Sequence, residues 1–150
     1  MKYYKIIKTE QGFAITTPLT GKPVLTMPQL NKGTAFTHDE RKSLGLLGKL
    51  PGHVETISDQ TDRAYRQLCD YISPMHKNIF LTVLHNTNEV LFYSVVKKHF
   101  KEIMPIVYTP VVGDSVIDFS KSFRQTRGLY VSYEDRDCLE EIFRNSTNSD

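Results

Sequence analysis

From Tyr3 to Thr17 the chain is rich in Tyr, Ile, Phe and Thr, and Glu10-Gln11-Gly12 interrupts the run, which predicts a short hairpin turning near the glycine. Residues 18–33 hold Pro18, Gly21, Pro23, Pro28 and Gly33, so many breakers that an extended arm without regular elements is expected. The signal then becomes helical. Thr37-His38-Asp39-Glu40 has the form of a capping box, with the Thr hydroxyl accepting a backbone N–H in the first turn and the Glu carboxylate reaching back to the cap. A short helix should run from there toward Gly48 and Pro51. Val54, Ile57, Thr61, Ala64, Tyr65, Leu68 and Ile72 recur at helical spacing and predict a long amphipathic helix. Ser73-Pro74 stops it and opens a third helix, with Met75, Ile79, Phe80, Val83 and Leu84 on one side. Asn86, with Glu89 three residues later, begins a fourth, whose apolar face is Leu91, Phe92, Val95, Val96 and Phe100.

The pattern changes at Met104-Pro105-Ile106-Val107-Tyr108. This short apolar run between a proline and Thr109-Pro110 suits a buried parallel strand. Val112, Val116, Phe119 and Phe123 then read as a crossover helix, Gly128-Leu129-Tyr130-Val131-Ser132 as a second strand, and Cys138, Leu139, Ile142 and Phe143 as a further helix before the polar end NSTNSD. The expected fold class is α/β and helix-rich: an amino-terminal extension over 1–27, a helical part over 37–100, and the first βαβ part of a parallel sheet over 103–145. Two parallel strands buried on both faces do not complete a sheet, which implies further strands beyond them.

Charge and composition narrow the function classes. Nineteen Lys and Arg against seventeen Asp and Glu leave a net charge of +2, with the signs interspersed, so nothing calls for nucleic acid or an anionic membrane surface. The start, MKYYKIIKTEQG, has no apolar h-region, and no stretch approaches the roughly 18 apolar residues of a membrane span. Cys69 and Cys138 match neither a disulfide framework nor zinc spacing, and both read as small buried hydrophobes in a reducing compartment. A cytoplasmic protein is expected.

Candidate chemistry is sparse. Tyr108, at the expected carboxyl end of a strand, stands where ligands collect in open α/β sheets. Phenols ordinarily titrate near pH 10, so a tyrosine there can donate a proton to a developing carbanion or enolate; it can equally pack its ring and bond a carbonyl. His99 and Glu102 share a helical face, but lack a third metal ligand and read better as a solvated helix end. The acidic pairs Asp39-Glu40, Glu134-Asp135 and Glu140-Glu141 fall at helix starts or exposed faces, where they serve the helix dipole and solubility. No G-x-G-x-x-G, G-x-S-x-G or Walker sequence occurs, so independent dinucleotide binding is not expected.

Four stretches resemble malic enzymes and come in that family's order. They are LNKGTAFTHDERKSLGLLGKLP (Leu30 to Pro51), NEVLFY (Asn88 to Tyr93), MPIVYTPVVG (Met104 to Gly113) and RGLYVS (Arg127 to Ser132). The likeness covers about residues 28–145 and implies an incomplete malic enzyme amino-terminal domain, amino-acid-dehydrogenase-like in fold. It implies oxidative decarboxylation of L-malate to pyruvate and CO2, with NAD or NADP and Mg or Mn in the complete enzyme. The tyrosine of the YTP motif, here Tyr108, would be the general acid that protonates the enol of pyruvate. The substrate arginine, lysine base, metal carboxylates and dinucleotide glycines of the family would lie beyond Asp150, leaving the isolated chain inactive with no cofactor or metal residues of its own. The resemblance also implies a homodimer or homotetramer joined through the helices between Thr37 and Phe100. Some members hold an effector between two arginines. Arg63 matches the first, as a possible effector or interface residue, whereas Thr87 stands at the second. Two other readings are a malolactic enzyme segment, which VVGDS resembles, and a truncated dimerisation or regulatory module without catalysis.

Overall fold

A computed structural model describes residues 3–10, 12–121, 123 and 127–147, the last without its side chain. Position 122 of the expected crossover helix and residues 148–150 of the polar end lie outside these. The chain divides into two compact units, one of residues 18–119 and one of 1–17 with 120–150.

The smaller unit contains the expected hairpin. Strands β1 (Lys5–Thr9) and β2 (Gly12–Thr16) pair antiparallel, with Ile6 opposite Ile15 and Lys8 opposite Phe13. Ile6, Phe13 and Ile15 therefore share one face, and all three are exposed. The same unit ends in a 3₁₀ turn at Arg136–Cys138 and a terminal helix, Leu139–Thr147, as the sequence predicts.

The larger unit is helical. The arm is more regular than expected: a five-residue helix, α1 (Lys22–Thr26), buries Val24 and places its proline in the first turn, where a missing N–H costs nothing. The capping box forms at Thr37, and α2 (His38–Ser43) follows it. Thr56 and Asp59 build a second capping box, which is why α3 (Ile57–Asp70) starts after Val54. Then come α4 (Pro74–Thr87) and α5 (Glu89–Lys98), the latter capped by the Asn88 side chain rather than by Asn86.

The expected parallel strand at Met104–Tyr108 is not present. These residues close helix α6 (Phe100–Val107), and α7 (Val111–Ile117) follows where the crossover helix was expected. Helical spacing explains the difference: Ile103 is fully buried, and Ile106 and Val107, three and four residues on, pack on the same core. The second expected strand, 128–132, does not take strand form, and Leu129, Tyr130 and Val131 are exposed. The sheet described is thus the antiparallel hairpin alone.

The core joins Ala64 and Leu68 of α3, Leu81 of α4, Leu91, Phe92 and Val95 of α5, and Ile103 of α6. Helix α4 touches α3, α5, α6 and α7, so its buried face centres on Leu81, whereas Val83 of the expected face is exposed. Cys69 and Cys138 are free and exposed, contrary to the expectation of burial. Cys69 lies a residue past Leu68, outside the stripe that meets the core, and Cys138 lies in the short turn before the terminal helix.

Candidate functional site

Tyr108 occupies the C-cap of α6, with φ −127° and ψ −153°, where the chain leaves the helix. Its N–H donates to the Met104 carbonyl at 2.9 Å, and its own carbonyl accepts from Val112 N–H at 2.9 Å. The motif is held by apolar anchors on either side: Ile103 is fully buried, Val111 is 8% exposed, and Ile106 and Val107 lie against the core. The tyrosine itself is 63% exposed. The Thr109–Pro110 peptide bond is cis. A rigid backbone carrying an accessible phenol is an arrangement suited to proton donation, since the phenol can regain its proton from water.

The segment before Tyr108 is tied to a neighbouring helix by a residue the sequence reading passed over. Asn78, 7% exposed on α4, donates its Nδ2–H to the Ile106 carbonyl at 2.8 Å. An asparagine among apolar positions gave no sign of this, because its partner lies 28 residues away.

Arg63 lies elsewhere. It lines a cavity of about 170 Å³ together with Gln60, Phe80, Leu84, Thr87 and Leu91. The structure thus places Arg63 and Thr87 on one hollow, with Arg63 the one guanidinium among its lining residues. That guanidinium is ion-paired with Glu55. Hydrogen bonds from Arg63 and from the Thr34 hydroxyl hold the Glu55 carboxyl below the ordinary carboxylate range.

His99 and Glu102 do come together, though not as metal ligands. The His99 ring stacks on Tyr65 with centroids 3.4 Å apart, and the Tyr65 hydroxyl donates to the Glu102 carboxylate. That bond and the nearby Cys69 thiol push the Tyr65 phenol up from its ordinary value. Among the described residues no group of three His, Cys, Asp or Glu could hold a metal ion. Gly45 and Gly48 sit in the turn after α2 rather than at a strand-to-helix junction. Neither His99 with Glu102 nor the two glycines thus forms a metal or dinucleotide site among the described residues.

The chain around the start of the Leu30 motif meets the chain around the start of the Asn88 motif in space. Glu89 N–H donates to the Pro28 carbonyl at 3.0 Å, Asn31 Nδ2 to the Thr87 carbonyl at 2.9 Å, and Gln29 Nε2 to Glu89 Oε2 at 3.2 Å.

Comparison with known proteins points to one family. Residues 85–150 match the family model described as malic enzyme, N-terminal domain. The chain is 47% identical over 144 residues to NAD-dependent malic enzyme 3 of Bacillus subtilis (strain 168), covering 96% of this chain and 25% of the relative. It is 46% identical over 129 residues to NAD-dependent malic enzyme 2 of Vibrio vulnificus (strain YJ016), covering 86% and 23%. It is 44% identical over 130 residues to the NAD-dependent malic enzyme of Edwardsiella ictaluri (strain 93-146), covering 87% and 23%. The chain thus spans about a quarter of the length of the relatives it matches. On these likenesses the chain belongs to the malic enzyme family and carries part of that family's N-terminal domain.

Proposed function

We propose that this chain is the amino-terminal segment of an NAD-dependent malic enzyme and that Tyr108 is the general acid of its reaction. In the complete protein NAD would supply the oxidant that converts L-malate to oxaloacetate, and loss of CO2 would leave the enolate of pyruvate. Tyr108 donates its phenolic proton to the methylene carbon of that enolate, giving the methyl group of pyruvate as the ketone carbonyl re-forms, and the phenolate regains a proton from water. The observation that carries this reading is an exposed tyrosine on a backbone pinned by Ile103 and Val111, in a YTP sequence like that of the family. A neutral donor suits a carbon that needs a proton rather than an ion pair. The names of the three relatives favour NAD over NADP, and malic over malolactic activity.

The test is Tyr108→Phe in the full-length protein, supplied with NAD and a divalent metal. Turnover of malate should fall by about 10²-fold or more, the range for loss of a general acid, while malate and NAD still bind. Turnover equal to that of the parent would remove Tyr108 from the mechanism.

A further inference from the structure

The carbonyl of Ile106 sits in the last turn of α6, where continued helical bonding would bring it the N–H of residue 110. Residue 110 is proline and has no N–H to give. The Asn78 amide fills the vacancy, at 2.8 Å, from the buried face of α4. Leu81, one turn along on that helix, is fully buried and belongs to the core, so the donor rides on a rigid support. The bond fixes the peptide plane that follows Ile106, one residue short of Tyr108, whose backbone turns the phenol out of the helix.

We propose that Asn78 is a positioning residue for Tyr108: it supplies the hydrogen bond that the proline of the YTP sequence withholds, and so sets the direction in which the phenol leaves α6. This inference rests on the reading of Tyr108 as proton donor. The two can be told apart by following one step alone. Run in reverse, the proton transfer has the Tyr108 oxygen take a proton from the pyruvate methyl group and return a deuteron in D2O. Deuterium uptake into pyruvate, read by proton NMR with the full-length protein, NAD and a divalent metal, therefore measures Tyr108 without the oxidation step.

Three single variants and one double variant make the test. Tyr108→Phe should lower uptake by about 10²-fold or more. Asn78→Leu should lower it by about 10-fold with KM for pyruvate unchanged, as expected when a reacting group is displaced by a fraction of an ångström. Asn78→His, which keeps an N–H donor at similar reach, should recover most of the loss. Adding Asn78→Leu to Tyr108→Phe should cost nothing further, because the asparagine acts through the phenol. Amide exchange at Tyr108 and Val112 should quicken in Asn78→Leu and return toward the parent rate in Asn78→His.

Uptake unchanged in Asn78→Leu, with Tyr108→Phe impaired, would overturn the positioning role and leave the tyrosine reading standing. Uptake unchanged in Tyr108→Phe would overturn both. If Asn78→Leu does not fold, Asn78→Asp, which keeps the shape and loses the donor, takes its place under the same expectations. Failure of both to fold would assign Asn78 to the core alone.

Discussion

Arg41 offers the sharpest test of what holds the larger unit together. It lies on the six-residue helix α2, is 3% exposed, and pairs with no carboxylate among the described residues. Its charge is met by four backbone carbonyls: Phe36 at 2.8 Å, Thr34 at 2.9 Å, Pro51 at 2.6 Å and His53 at 3.1 Å. One side chain thereby ties the segment before α2 to the loop after it. A hydrogen bond from a charged donor contributes about 1.5–3 kcal/mol, but four on one group are not additive, and carbonyls near the surface regain some water. Breaking a buried charged network is the better guide and costs about 3–5 kcal/mol, which we expect for Arg41→Met. Arg41→Lys keeps the charge but replaces a planar fork with a point that cannot span both segments, and should cost about 2–3 kcal/mol. Urea unfolding of the 150-residue chain, followed by far-ultraviolet circular dichroism, reads these values. With a slope of about 2 kcal/mol per molar urea, the lysine variant should lower the midpoint by about 1–1.5 M at unchanged slope. A lysine variant within about 0.2 M of the parent, on that same slope, would show that the charge matters and the fork does not.

Two further outcomes follow from the same unit. Gly33 has φ +54°, and a Cβ there would stand 2.8 Å from the Gln60 side-chain oxygen, so Gly33→Ala should destabilise by about 1–3 kcal/mol in the same titration, whereas Gly52→Ala, with open space around it, should change little. The Asp59 carboxyl is held below the usual carboxylate range by the hydroxyl and then the backbone N–H of Thr56, so its contribution is fully present above the ordinary aspartate range and is lost as pH falls through the lowered value. Stability measured between about pH 5 and 2 should therefore decline less steeply in Asp59→Asn than in the parent, and parallel curves would refute the pairing.

Much of the helical half was legible because burial leaves a periodic trace. The Thr37 capping box, the stripe through Ala64 and Leu68, and the apolar face of Leu91, Phe92 and Val95 all appear where spacing puts them. What escaped was set by partners distant in the chain. Ile103, Ile106 and Val107 also fit a helix, but a proline and an unbroken apolar run resemble a buried strand equally well, and only packing against α4 and α5 decides between them. Arg41 looks like any polar residue of a surface helix until the loop at Pro51 folds over it. Asn78 is silent for the same reason. The candidate site was legible as a motif, through Tyr108, and illegible as geometry.

The spacing of the quoted motifs has a structural reason of its own. Residues 28–33 carry no periodic apolar face, yet they dock on the junction of α4 and α5: Gln29 and Asn31 donate to Glu89 and to the Thr87 carbonyl, and the Pro28 carbonyl accepts from Glu89 N–H. Gly33 lets the chain turn there, its N–H bonded to Asn31 Oδ1 at 2.8 Å, while Gln60 of α3 donates to the Lys32 carbonyl at 3.1 Å. Asn88, almost wholly buried, caps α5 at the same junction by accepting from Leu91 N–H at 2.9 Å. Several polar groups there bond across elements, so loss of one leaves its partner on the other element without that bond. The arm before α2 and the helix α5 therefore constrain one another, and α5 in turn packs on α6, whose last residue precedes Tyr108. Packed helices and satisfied backbone groups thus link both motifs, without a break, to the segment that carries Tyr108.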